Sequence, residues 1–217
     1  MPLQYEYCFK FDDGSEKSFS VELQDETWLL QISGKAHEAP DWTKLEHCKC
    51  PHCPFEAEKV PHCPVAKNLA NAAESFKDDK SFRKATVFVK GRDRFYGRQT
   101  DLQTGLQSLF GLIMATSDCR HMDFFRPLAR HHLPFATIDE SRGRMLGHYL
   151  ITQLELAQKG KETDFEAKRL AELIGNVNIL NAKITERIRS VSKGDADWNA
   201  ITLLDGVASL MSLDLAK

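Results

Sequence analysis

Leu3-Gln4-Tyr5-Glu6-Tyr7-Cys8-Phe9-Lys10-Phe11 carries an apolar or aromatic residue at every odd position and a polar or small one at every even position. A period of two puts Leu3, Tyr5, Tyr7, Phe9 and Phe11 on one face of a β-strand, so the chain opens as a sheet with an aromatic-rich inner face. Asp13-Gly14 then signals a turn, and Phe19, Val21 and Leu23 repeat the alternation in a second strand. Trp28-Leu29-Leu30-Gln31-Ile32 reads as a third, which would close a small meander over the first 33 residues. A further strand pair is expected over residues 84–90 and 94–99, joined by Gly91-Arg92-Asp93.

Downstream the period changes. Val65, Leu69, Ala72, Ala73 and Phe76 recur at helical spacing, as do Leu102, Leu106, Leu109, Phe110 and Ile113. A short helix is expected over 122–131, ending before Leu133-Pro134. Thr137 with Glu140, and Thr163 with Glu166, both match the capping-box spacing and each predicts the start of a long helix. The second carries Leu170, Leu173, Val177, Leu180, Ile184 and Ile188, and a last helix carries Ile201, Leu204, Ala208 and Met211. No internal repeat is visible. The fold class is α+β: an N-terminal antiparallel sheet with a Cys-rich irregular metal loop, followed by a C-terminal helical bundle. Residues 1–100 form the β-rich region, with the metal loop at about 47–64, and residues 101–217 form the bundle, packed with the first as one unit.

The 217 residues hold 29 Lys and Arg against 31 Asp and Glu, a formal charge of −2, so bulk charge recruits neither nucleic acid nor an anionic membrane. The first residues lack the basic start and apolar core of a secretory signal. The most apolar neighbourhood, 106–115, is about half the roughly 20 residues a membrane helix needs. A soluble, cytoplasmic protein with no membrane partner is expected. In a reducing compartment, clustered cysteines read as metal ligands or redox groups and not as disulfides.

Residues 34–64 lose all periodicity and gather five prolines, four cysteines and four histidines. Their order must come from something other than a backbone ladder, and a bound metal is the economical source. Cys50-Pro51-His52-Cys53 is a Cys-x2-Cys knuckle. Nine residues separate Cys53 from Cys63, and 55 separate Cys63 from Cys119. Cys50, Cys53 and Cys63 would fill three corners of a tetrahedron, and Cys119, in the polar run Ser117-Asp118-Cys119-Arg120-His121, would fill the fourth. Cys48, His47, His52 and His62 compete for that corner, and three cysteines with one histidine account for the spacing almost as well. Cys119 also reads as a small buried residue, and Cys8 as a surface thiol. Zinc is the expected metal. An iron-sulfur cluster is the alternative, since both accept four thiolates.

These motifs resemble an uncharacterised bacterial protein family. The likeness lies in Cys50-Pro51-His52-Cys53-Pro54, Pro61-His62-Cys63-Pro64-Val65-Ala66, Ala115-Thr116-Ser117-Asp118-Cys119, Arg126-Pro127 and His132-Leu133-Pro134-Phe135-Ala136-Thr137. It covers most of the chain and implies a bacterial cytosolic protein in which Cys50, Cys53, Cys63 and Cys119 group together, with no established activity. Where that family has proline after the last cysteine, this chain has Arg120.

No nucleophile elbow, zinc-protease helix, phosphate loop or dinucleotide turn is present, so the reading leans against an enzyme without excluding one. His131-His132 reads as a cationic cap on a helix C-terminus. His148 reads as a partly buried, hydrogen-bonded side chain, and Asn181 and Asp205 as buried polar groups paired with each other or with Arg126. Between residues 80 and 98, Lys80, Arg83, Lys84, Lys90, Arg92, Arg94 and Arg98 face only Asp93 among acidic residues, with Phe88, Phe95 and Tyr96 interleaved. That composition reads either as a charged sheet edge or as a single-stranded nucleic-acid platform. The function expected overall is that of a metal-binding interaction or regulatory module with an unidentified protein partner; the nucleic-acid binder and the iron-sulfur redox protein are the alternatives.

Overall fold

A computed structural model describes residues 3–31 and 39–215, with side chains up to residue 211. Strands β1 (Leu3–Phe11) and β2 (Glu16–Leu23) form a hairpin through Gly14, whose φ of +82° meets the turn's need for a left-handed residue. Helix α1 (Pro64–Phe76) follows an irregular loop. Strands β3 (Lys84–Lys90) and β4 (Phe95–Asp101) run directly into α2 (Leu102–Ala115). The one-turn α3 (Arg126–Ala129) precedes α4 (Ile138–Gln158), α5 (Lys168–Arg189) and α6 (Ala196–Leu215).

The sheet is antiparallel with order β2-β1-β3-β4. The odd-numbered face expected of β1 is the buried one: Tyr5, Tyr7, Phe9 and Phe11 join Val21, Leu23, Ala85, Val87 and Val89 under α1 and α2. Phe76 of α1 meets Phe9 edge-on, with ring centres 5.2 Å apart. Close approach of α2 is made possible by Gly105, where a Cβ would stand 2.8 Å from Phe9 and 2.9 Å from Val87. Helices α5 and α6 pack against each other and α6 packs on α2, so the sheet shares its apolar core with α1, α2, α5 and α6, while Tyr149 of α4 joins a second cluster with Leu170, Ile174, Ala208 and Met211.

Three expected elements differ. Residues 28–31 form no strand: Trp28 takes φ +54°, only Leu30 bridges to Leu23, and the Leu30 N–H goes to Thr116 O instead of a ladder. Ile32 lies outside the described residues. The place beside β1 is taken by β3, so the sheet is not a simple meander. The helix expected over 122–131 shrinks to a 3-10 turn (Arg120–Met122) and α3. Side chains claim the carbonyls beyond it: Tyr5 donates to Ala129 O and Arg130 O, and Arg144 to Leu128 O and His131 O.

The third difference concerns caps. The Thr137 box forms with both reciprocal bonds, but Thr163 caps nothing. Instead Asp164 accepts from the N–H groups of Lys168 and Arg169 and from the Tyr149 hydroxyl, and α5 starts after Ala167 in a left-handed conformation. A carboxylate with three donors displaces the hydroxyl cap one residue earlier. Among the described residues no helix is long and apolar enough to cross a membrane.

Candidate metal centre and its surroundings

The Cys50–Cys53 knuckle is a tight turn in which the Cys53 N–H donates to Cys50 O at 3.0 Å. Cys63 sits at the N-terminus of α1, ahead of Pro64. Its own N–H donates to Thr43 O at 2.8 Å, and Leu45 donates to Pro61 O, so the two arms of the loop are laced together. Cys119 is buried at the start of the 3-10 turn after α2.

These four thiols are near enough for their charges to act on one another. Burial pushes Cys119 up to about 12, and Cys63, Cys50 and Cys53 each add to the rise. Cys50 is pushed up to about 11, first by burial and then by Cys63 and Cys53, against the opposing pull of Arg187 and Lys183. Crowded, desolvated thiols resist ionising together, and a divalent cation is what relieves their repulsion. They are gathered but not closed: among the described residues no three His, Cys, Asp or Glu side chains form a group already set to hold a metal ion.

The turn bearing Cys119 is docked on the knuckle by two histidines. His121 Nε2 lies 3.1 Å from His52 O, and the two rings stand 4.0 Å apart. Both ring nitrogens of His52 are buried; burial, then the neighbouring His121, lowers its pKa, and a hydrogen bond with the Asn176 backbone opposes the shift. Of the other alternates, His62 Nδ1 is engaged with Thr43 Oγ1 at 2.8 Å and His47 Nε2 contacts Ser190 Oγ at 3.3 Å. Cys48 adopts φ +50° on the same loop. Cys8 lies on the outer sheet face, 3.8 Å from Glu16.

The family described as "Domain of unknown function (DUF6901)" matches residues 5–215. The chain belongs to that family. No curated protein matches it, and neither does any solved structure.

In this DUF6901 chain the residue that fastens the loop is one that sequence reasoning missed. Arg187, 2% exposed near the end of α5, donates to Trp42 O at 2.9 Å, Lys44 O at 2.7 Å and Leu45 O at 2.9 Å. In sequence it resembles any basic residue in a last helical turn, so only its burial identifies it.

The basic hairpin is divided. Arg83 is committed to Asp79 and Asp13 and lies over the Phe11 ring. Lys84 and Lys90 share the outer sheet face with the stacked pair Phe88 and Phe95, and Lys90 reaches Glu6 at 3.4 Å. Arg98 pairs across from Val87 and therefore points to the opposite face. Arg92 and Arg94 border an open groove of about 520 Å³ with Trp28, Tyr96, Arg130 and Asp25.

A second polar cluster lies between β1, α2 and the segment after α3. Phe135 N–H donates to Ser108 Oγ (3.2 Å), which meets Tyr7 Oη (3.1 Å), which in turn is 2.5 Å from His132 Nε2. One proton order satisfies all of them: Ser108 donates to Tyr7, and Tyr7 to a neutral imidazole. His132 keeps some surface where it borders cavities, but protein atoms enclose its ring; burial, then the Arg144 charge, pushes it down to about 3. It is therefore not the cationic helix cap expected from sequence, and Arg144 takes that place through Leu128 O and His131 O. His148 is partly buried against Phe124, with burial lowering its pKa. Arg126 pairs with Asp123 and Ser117 O, leaving Asn181 beside Asp205.

The depressed His132 sets a pH dependence. An unfolded histidine titrates near 6.5, so below that value the unfolded chain binds a proton that the folded chain refuses until about pH 3. Stability from this group is complete above pH 6.5 and is lost as pH falls through that window, by at most about 1.4 kcal/mol per pH unit. Urea unfolding at pH 7 and pH 5 should show a smaller loss in His132→Asn than in the parent chain. Equal losses would mean the ring is protonated in the fold.

Proposed function

We propose that one zinc ion held by Cys50, Cys53, Cys63 and Cys119 fastens the Cys-rich loop to the helical half of a cytoplasmic protein. On this reading the chain is an interaction or regulatory module. Four protein thiolates leave no open coordination position for a substrate water, so such a site maintains structure and does not hydrolyse. The observation that carries the reading is the docking of the Cys119 turn on the Cys50–Cys53 knuckle by His121 and His52, across a long stretch of chain. A zinc ion would stabilise thiolates that, without a cation, resist ionising together. Should Cys119 stand aside, His52 is the alternate with an unused nitrogen. What supports this reading over a nucleic-acid platform on β3 and β4 is the prior commitment of Arg83 and the turning of Arg98 away from Lys84 and Lys90.

Closing a 55-residue gap costs a few kcal/mol of chain entropy, whereas structural zinc contributes on the order of 10 kcal/mol in small domains. Untagged protein prepared without oxygen should be colourless, contain one zinc per chain and melt at lower temperature when a strong chelator removes it. Broad visible absorption that bleaches on reduction would replace the ion by an iron-sulfur cluster. Metal-free protein with an unaltered melting temperature would end the proposal.

A further inference from the structure

A cavity of about 220 Å³ lies among α2, α4, α5, α6 and the segment after α3. For scale, an apolar protein cavity of about 150 Å³ admits benzene, so this one has room for a molecule somewhat larger. Most of its wall is apolar, including Leu112, Met122, Val177 and Leu204. The space is partly open to solvent, as ligand sites are, and is not a sealed void in the core.

Two polar groups on the wall are left incomplete. Asn181 is 1% exposed, borders the cavity, and its Oδ1 has no hydrogen-bond partner. An orphaned buried acceptor calls for a donor from something not belonging to the chain. Arg144 also borders the cavity. Its Nη2 serves two backbone carbonyls, but among the described residues no carboxylate forms an ion pair with it, and Glu140 acts on it only through space. Arg144 is partly buried, and a partly desolvated cation without a counter-charge gains from an anion supplied from outside.

We propose that this cavity binds a small amphipathic carboxylate, with its carboxylate on Arg144, its apolar body against the helices and a hydroxyl or N–H donor in that body on Asn181. The size of the space limits the ligand to roughly ten non-hydrogen atoms. The site is independent of the cysteines, since none of them borders the cavity.

Two probes of one length separate the requirements: 8-hydroxyoctanoate has both the charge and the donor, and 1,8-octanediol lacks the charge. Calorimetric titration of the full chain should show saturable binding of the acid and at least tenfold weaker binding of the diol. Arg144→Gln should abolish that preference, and Ala115→Phe, which fills the space, should abolish binding of both. Ala136→Phe replaces it if the first variant does not fold. No saturable binding of the acid, equal affinity for the diol, or undiminished binding in a folded cavity-filled variant would each overturn the proposal.

Discussion

An Arg187→Met chain is expected to lose about 3 to 5 kcal/mol of folding stability, a large fraction of the roughly 5 to 15 kcal/mol available to a domain. Methionine matches much of the aliphatic stem but donates nothing. Trp42 O, Lys44 O and Leu45 O would then be left without the three N–H groups that Arg187 aims at them. Lys44 O keeps the His47 N–H, so Trp42 O and Leu45 O bear the loss, and each unpaired buried carbonyl costs about 1 to 3 kcal/mol. Lysine would not rescue the loss, because its compact ammonium cannot span three carbonyls as a planar guanidinium does. Denaturant titration measures the effect, and a change below about 1 kcal/mol would show that the carbonyls find water instead. Because Arg187 also acts on Cys50 and holds the loop next to the knuckle, zinc retention should weaken in the same variant.

The second large effect is expected from Cys53→Ser. If the four thiols hold one ion, removing one ligand releases the attraction that orders residues 47–64 while leaving the sheet and bundle core intact. Limited proteolysis should then cut within 47–64 at rates at least tenfold above the parent chain. Amide exchange in β1 and β3, which lie in the shared core, should remain slow. Normal zinc content together with an uncut loop would refute the ligand assignment. The two variants are distinguishable: Arg187→Met should lower stability even in metal-free protein, whereas Cys53→Ser should be silent there.

Several parts of this molecule were legible in its sequence because they are local. The odd-numbered face of β1 is buried because alternation is a property of the strand itself, independent of its neighbours. The box at Thr137 and Glu140 forms because both partners lie within one turn. At Thr163 the same spacing fails, since the adjacent Asp164 gains a third donor from Tyr149, a residue of another helix. Residues 28–31 fail as a strand for a similar reason: Trp28 turns the chain at φ +54°, and the Leu30 N–H is claimed by Thr116 O at the end of α2, far along the chain.

Function was legible only in part. Cys50, Cys53 and Cys63 announce themselves by spacing, but the contacts of Arg187, and of His121 with His52, carry no signal before the chain is folded. His132 shows the limit most clearly. Its sequence position beside a helix end suggests a cation, and only enclosure next to Tyr7 and Arg144 makes it neutral.

By itself the sequence determined most of the strands and helices, which face of each is apolar, and which thiols lie close along the loop. Tertiary structure decided the strand order, the approach of Cys119 to the knuckle, the clamp by Arg187 and the cavity beneath α4. The division has a physical cause. Periodicity and caps act over a few residues, whereas the entropy of closing a long loop rises so slowly with its length that separation along the chain says little about which distant faces will meet.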